Sequence, residues 1–316
     1  MIRDKSKVAI IGAGFVGSST AFALALNRQV NELVLIDVNK DKAKGEALDI
    51  NHGLSFVGQM SLYAGDYKDC QDCDVIIITS GISRKPGETR LDLAKKNTIM
   101  AKDVIKNVMK YYNTGVILAV SNPVDILTYI IQEYSGLPYG KVIGSGTVLD
   151  SSRFRYLLSR KLNVDIRNVH GYIIGEHGDT QIPAWSATHI AGQNIDIFCS
   201  NPESGFSIKD KASIAEEVKY AGAEIIKNKG ATHYAIAIAV SNLVDTLLKD
   251  QNTIRTVSSV INGLYGINDV AVSLPSVINS SGIEKVIELN LTQEEEIALR
   301  YSAEKVKEVL HAVKDL

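Results

Sequence analysis

The sequence predicts an α/β protein: a doubly wound parallel sheet followed by a second, α+β lobe. Three observations lead there. The first half alternates short apolar runs with helix-length segments, the rhythm of parallel strands joined by right-handed helical crossovers. The first run ends in Gly12-Ala13-Gly14-Phe15-Val16-Gly17, a G-x-G-x-x-G turn between a strand and a helix. The second half loses the alternation and carries long helical stretches and two long strand-like runs.

Taken in order, the strand-like runs of the first half are 8–11, 33–36, 75–79, 116–120 and 141–143. Their near-continuous apolar character suits strands buried on both faces. Segments 15–28, 40–52, 91–111 and 125–134 are long enough for the intervening helices. A helix over 149–162, a short strand leading to His177, helices within 208–247, strands at 254–261 and 269–278, and an amphipathic helix over 292–314 complete the chain. The expected boundary lies near residue 145, giving lobes over 1–145 and 146–316.

Composition excludes several classes of function. At 316 residues the chain can bury a sizeable core in two lobes. A net charge of -2 leaves no basic footprint for nucleic acid or an anionic membrane. No apolar run approaches the ~18 residues of a membrane span, and the first residues lack a signal peptide's apolar region. Three cysteines are too few for a disulfide framework, so a reducing, cytoplasmic setting is expected. Cys70-Gln71-Asp72-Cys73 has no second pair to complete a zinc site and precedes a strand rather than opening a helix, so it reads as a loop with incidental thiols and no metal is expected.

The fingerprint assigns the first lobe to the Rossmann type. Gly12 permits the tight turn, Gly14 lets a pyrophosphate approach the backbone, and Gly17 lets helix and strand pack closely, with the helix N-terminus facing the phosphates. Asp37, after the second strand, would accept bonds from the ribose hydroxyls and repel a 2′-phosphate. Val38 and Asn39 offer no compensating positive charge, so NAD is expected over NADP.

The segment from Gly171 to Asp179 carries the chemistry. His177 stands between Glu176 and Gly178, with Gly175 just before, after an apolar run. An imidazole titrates near neutrality and can give or take a proton. Leu149-Asp150-Ser151-Ser152-Arg153 adds a carboxylate to orient the ring and an arginine to grip an anion. The polar stretch from Gly81 to Arg90, between the 75–79 strand and a helix, has the glycines of a hinged lid.

These motifs, GAGFVG, LIDV, KPGETRLDL, SNPVDI, SGTVLDSSRFR and GEHGDTQIPAWS, resemble those of the L-lactate and malate dehydrogenase family, in the same order and over essentially the whole chain. The resemblance implies a dehydrogenase moving a hydride between NAD and a small 2-hydroxy acid. It implies that His177 is the acid/base with Asp150 its partner, that Arg153 clamps the substrate carboxylate, and that Arg90 on a mobile loop polarises the carbonyl. Asn122 would bind on the carbonyl or nicotinamide side. Phe15, Val16, Gly81 and Ser121 would join Gly12, Gly14, Gly17, Asp37 and Asn122 around the cofactor.

On substrate choice the sequence pulls two ways. Arg84, just before Lys85-Pro86, stands where malate enzymes carry an arginine for the second carboxylate and lactate enzymes a glutamine. Leu91 after the loop arginine, Glu176, the stretch around Trp185, and Thr232 are lactate-like. Pyruvate and L-lactate are therefore the expected pair, with malate or dual use the alternative. Arg155 and His170 match positions at which bacterial lactate dehydrogenases bind fructose 1,6-bisphosphate between subunits, which implies that effector and a homotetramer. An NAD-binding sensor without catalysis would not need His177, Asp150, Arg153 and Arg90 together. A short-chain reductase would need a Tyr-x-x-x-Lys pair at a suitable place, and none occurs there.

Overall fold

The computed structural model describes residues 6–83, 87–200 and 205–316. The first half runs β1 (Lys7–Ile11), α1 (Phe15–Asn27), β2 (Glu32–Ile36), α2 (Lys40–Val57), β3 (Ser61–Ala64), β4 (Val75–Ile78), α3 (Arg90–Val108), β5 (Val116–Ala119), α4 (Val124–Ser135) and β6 (Val142–Gly144). The second runs α5 (Val148–Leu162), β7 (Val169–His170), β8 (Ile173–Ile174), β9 (Ile182–Pro183), β10 (His189–Ile190), β11 (Gln193–Asn194), α6 (Ile195–Cys199), α7 (Ile208–Lys229), α8 (Tyr234–Leu248), β12 (Thr253–Asn262), β13 (Asn268–Asn279), β14 (Gly282–Val286) and α9 (Gln293–Val313).

Among the described residues, nine strands form one sheet in the order β14-β13-β12-β6-β5-β4-β1-β2-β3. From β6 to β3 the pairs are parallel. The chain winds outward in opposite directions from β1 and β4, so a crevice opens at the carboxyl ends of these two strands, where open α/β sheets bind ligands. The strands are apolar throughout because each has two covered faces. Val8, Ile10, Val75 and Ile77 pack into one core with residues of α1, α2 and α8. Ala9, Ile11, Ile76 and Ile78 pack into another with residues of α3 and α4. That is the two-residue side-chain period of a strand, resolved into two cores.

At the other side β6 meets β12 in an antiparallel pairing of Gly144 with Ser258. The long β12–β13 hairpin therefore extends the sheet without a break, and the second lobe grows from its edge. Gly175 bridges to Ser273 of β13 through two backbone hydrogen bonds of 2.9 Å, which fixes the segment preceding His177 against that hairpin.

Several details depart from the sequence reading, in which β9, β10, β11, α6 and β14 have no counterpart. β3 is an additional strand; it lies at the sheet edge with only Leu62 buried, so it lacks the apolar run that marks its neighbours. α2 continues past 52 to Val57, where Gly58 ends it at φ +147°. Cys70 and Cys73 lie in the connection between β3 and β4, as the incidental-thiol reading expects, but both are fully buried in the core beneath α3. Burial pushes the Cys70 thiol up to about 12 and the Cys73 thiol higher still, so they act as small apolar side chains. Among the described residues no group of three potential metal ligands occurs, and no helix is long and apolar enough to cross a membrane.

Candidate active site

The β1–α1 turn sits in the crevice between β1 and β4. Gly12 takes φ +107°, and a Cβ there would stand 2.7 Å from the backbone nitrogen of Ser80. A Cβ on Gly17 would lie 1.9 Å from the Gly12 carbonyl oxygen. Only glycine allows β1, β4 and α1 to approach this closely. A Cβ on Gly14 would meet nothing within 4 Å, so the space above the helix entrance is open. α1 has no side-chain cap and no acidic residue in its first turn, leaving its positive end available to phosphate. Asp37 accepts hydrogen bonds from the Ala13 and Asn39 backbone N–H groups at 2.7 and 2.8 Å. Those bonds lock its carboxylate over the turn and leave further lone pairs for a diol. The residues present therefore fit a dinucleotide with unphosphorylated ribose. Phe15 and Val16 open α1 beside this space, with the Phe15 ring exposed and stacked on His233 at 5.4 Å.

Across the crevice the ends of β4 and β5 are tied together. The Ser121 hydroxyl donates to the Ser80 carbonyl at 2.7 Å, and a Cβ on Gly81 would touch Ser121 at 3.3 Å. Asn97 on α3, which the sequence reading missed, is the organiser here. Its amide donates to the Asn122 carbonyl at 2.7 Å and to the Ile82 carbonyl at 3.2 Å, and it accepts from the Ile82 N–H at 3.0 Å. The signal was present: Asn97 interrupts the buried stripe Ala94, Ala101, Val104 and Val108 of α3, and a buried amide must find partners. It pins the first residues of the 81–90 loop and the segment bearing Asn122 to one point.

The acid/base group is built from α5 and the loop that follows β8. Thr147 precedes α5, and Asp150 in its first turn is almost fully buried. One oxygen of its carboxylate meets His177 Nδ1 at 2.5 Å; the other accepts from Arg153 at 2.9 Å. Burial pushes the Asp150 carboxyl up, but the His177 and Arg153 charges and hydrogen bonds outweigh it and hold the group below the usual carboxylate range. The Asp150 charge in turn raises His177 to about 9, against the opposing effect of burial. An ionised carboxylate can only accept, so Nδ1 carries a proton and Nε2 is the atom left to exchange one. Arg153, mostly buried, also faces α7, where Gly222 leaves it room.

The structure thus brings His177, Asp150 and Arg153 into one cluster. Arg90, the first residue of α3, is 2.6 Å from Asp179, two residues beyond His177; both are more than half exposed, so it stands at the rim of the cluster. Thr232 lies half-buried between Gly230 at the end of α7 and the start of α8, next to His233, which hydrogen-bonds Ser19 of α1 at 2.9 Å. Arg84 lies outside the described residues. Arg155 and His170 lie elsewhere, on α5 and β7.

A group able to exchange a proton at Nε2, beside a guanidinium, could protonate the oxygen of a carboxylate-bearing carbonyl while a bound dinucleotide supplied the hydride. Comparisons with known proteins agree over both lobes. Residues 6–144 match the lactate/malate dehydrogenase NAD binding domain and residues 147–316 the lactate/malate dehydrogenase alpha/beta C-terminal domain. The chain is 53% identical over 305 residues to L-lactate dehydrogenase of Thermoanaerobacter sp. (strain X514), covering 96% of this chain and 98% of that protein. It is 48% identical over 312 residues to L-lactate dehydrogenase 1 of Clostridium acetobutylicum, covering 99% and 100%. The crystal structure of minor L-lactate dehydrogenase from Enterococcus mundtii in the ligands-bound form superposes with a TM-score of 0.95 at 41% identity, covering 98% of this chain and 99% of that one. Similarity of this extent, carried by the substrate half as well as by the dinucleotide fold, places the chain in the lactate/malate dehydrogenase family, as an NAD-dependent enzyme of the L-lactate dehydrogenase type.

Proposed function

We propose that the protein interconverts pyruvate and L-lactate, with residues 1–145 holding the cofactor and 146–316 the substrate. The observation that carries this reading is the cluster in which the Asp150 carboxylate holds both His177 and Arg153. When bound, NADH supplies the hydride. Gly12, Gly14, Phe15, Val16, Gly17 and Asp37 hold the cofactor from one side, and Gly81, Ser121 and Asn122 from the other. Arg153 fixes the substrate carboxylate with two parallel hydrogen bonds. His177 gives its Nε2 proton to the carbonyl oxygen, and Asp150 stabilises the charged ring without taking the proton itself. Arg90 releases Asp179 when the 81–90 loop closes and stabilises the negative charge developing on that oxygen.

Substrate preference rests on Thr232, Leu91 and the Trp185 region against Arg84. Oxaloacetate would give Arg84 a partner that pyruvate lacks. Arg84→Gln is therefore expected to reduce oxaloacetate activity on the order of ten- to a hundredfold, the value of a charge-assisted pair, while sparing pyruvate. Equal loss on both substrates in steady-state assays would remove Arg84 from the site.

Regulation and assembly belong to the same reading. Arg155 is half-buried, donates to the Ser151 carbonyl at 3.1 Å, and has its guanidinium pushed down by burial; an anion would relieve that cost. His170 is exposed. We assign these two residues to fructose 1,6-bisphosphate. The exposed Phe22 and Leu26 of α1, Leu48 and Phe56 of α2, and Ile238 of α8 supply apolar surface for subunit contact, in keeping with a homotetramer in the cytoplasm. The effector should lower the pyruvate KM, and light scattering should give four chain masses. Unchanged kinetics between pH 5.5 and 7.5, or undiminished activation in Arg155→Gln, would contradict the assignment.

A further inference from the structure

Asp125, in the first turn of α4, is a second carboxylate beside His177 that the mechanism above does not use. It is 3% exposed. One oxygen accepts the His177 backbone N–H at 2.7 Å, and the other accepts the Ser258 hydroxyl of β12 at 2.6 Å. A helix in the first lobe and the strand that joins the two lobes are thus linked through one carboxylate to the backbone of the acid/base residue. With Gly175 already held on β13, the loop is fastened on both sides of Glu176. These two donors meet the two different oxygens, so both must accept; a carboxylate supplies both acceptors, whereas an amide has one and would turn an N–H toward the other donor. A buried charge costs several kcal/mol in desolvation, and the two accepted bonds offset part of that cost. The ring of His177, charged when protonated, is favoured by a second negative group as well as by Asp150.

We propose that Asp125 is a positioning residue for the reaction: its carboxylate clamps the His177 backbone to β12 through Ser258 and so keeps the ring in register with Asp150. The proposal rests on His177 being the acid/base. The charged groups around Asp125 are His177 and Glu176 of the same loop, with Asp150 and Arg153 acting on the ring from α5. Burial pushes the Asp125 carboxyl up to about 6, against the lowering by Ser258 and His177. Once protonated, one of its oxygens becomes a donor facing another donor, so the clamp is intact above that pH and weakens below it.

The test is Asp125→Asn in the full chain, read two ways. ¹⁵N NMR titration of the His177 ring should show its pKa lowered by roughly one unit. In the pH profile of pyruvate reduction, the acid limb near 6 should vanish and the alkaline limb should move down, while NADH affinity stays the same. An unchanged ring titration with both limbs in place would overturn the proposal and leave Asp125 a structural residue. Should that variant not fold, Ser258→Ala removes one donor that favours the charged form. The acid limb must then move to higher pH, and an unmoved limb has the same negative meaning. The NMR readout does not depend on turnover, so it separates this proposal from the assignment of His177 itself, which a fully active His177→Asn would refute.

Discussion

His177→Asn is expected to lower kcat for pyruvate reduction by at least ~10²-fold, the usual scale of a general acid, with NADH binding intact. The asparagine can still accept or donate a hydrogen bond near Asp150, but it holds no proton that it can give up near neutral pH. The loop itself should keep its place, because the His177 N–H bond to Asp125 and the Gly175 bridge are backbone contacts. Stopped-flow mixing with NADH reports binding, and steady-state turnover reports the loss. Near-normal turnover with normal binding would show that another group donates the proton.

Arg153→Lys should be comparably severe. The guanidinium already satisfies Asp150 with one nitrogen and can present its remaining donors as a planar fork. An ammonium reaches one partner well but cannot hold a carboxylate in a fixed plane. Losing two charge-assisted bonds of about 1.5–3 kcal/mol each lowers kcat/KM for pyruvate by roughly 10²–10⁴. The change also affects the acid/base pair, because Arg153 helps to hold Asp150 ionised. A rise in pyruvate KM together with a fall in kcat is therefore expected. Retained kcat/KM in the lysine variant would mean that Arg153 only braces Asp150.

What was legible in the sequence was what neighbouring residues write. The β1–α1 turn, the apolar strands and the helix-length segments between them depend on contacts within a few residues. β3 was not legible, since an edge strand with one buried residue has no apolar run to mark it. The acid/base cluster could be read because Asp150 and Arg153 share one helical turn and His177 sits in a glycine-rich segment. Asp125 and Asn97 could not be read in the same way. Asp125 gains its meaning from partners 52 and 133 residues away, and Asn97 from one 25 residues away. Only the fold brings those groups together. Arg84 remains a sequence-level argument, since it lies outside the described residues.

The central claim is that this cluster serves a 2-oxo monocarboxylic acid. The most direct measurement is NADH oxidation by the wild-type protein with pyruvate and with oxaloacetate side by side. The account predicts a higher kcat/KM for pyruvate, with oxaloacetate turned over measurably through Arg84. A higher kcat/KM for oxaloacetate would contradict it, and would show that one loop arginine outweighs Thr232, Leu91 and the Trp185 region.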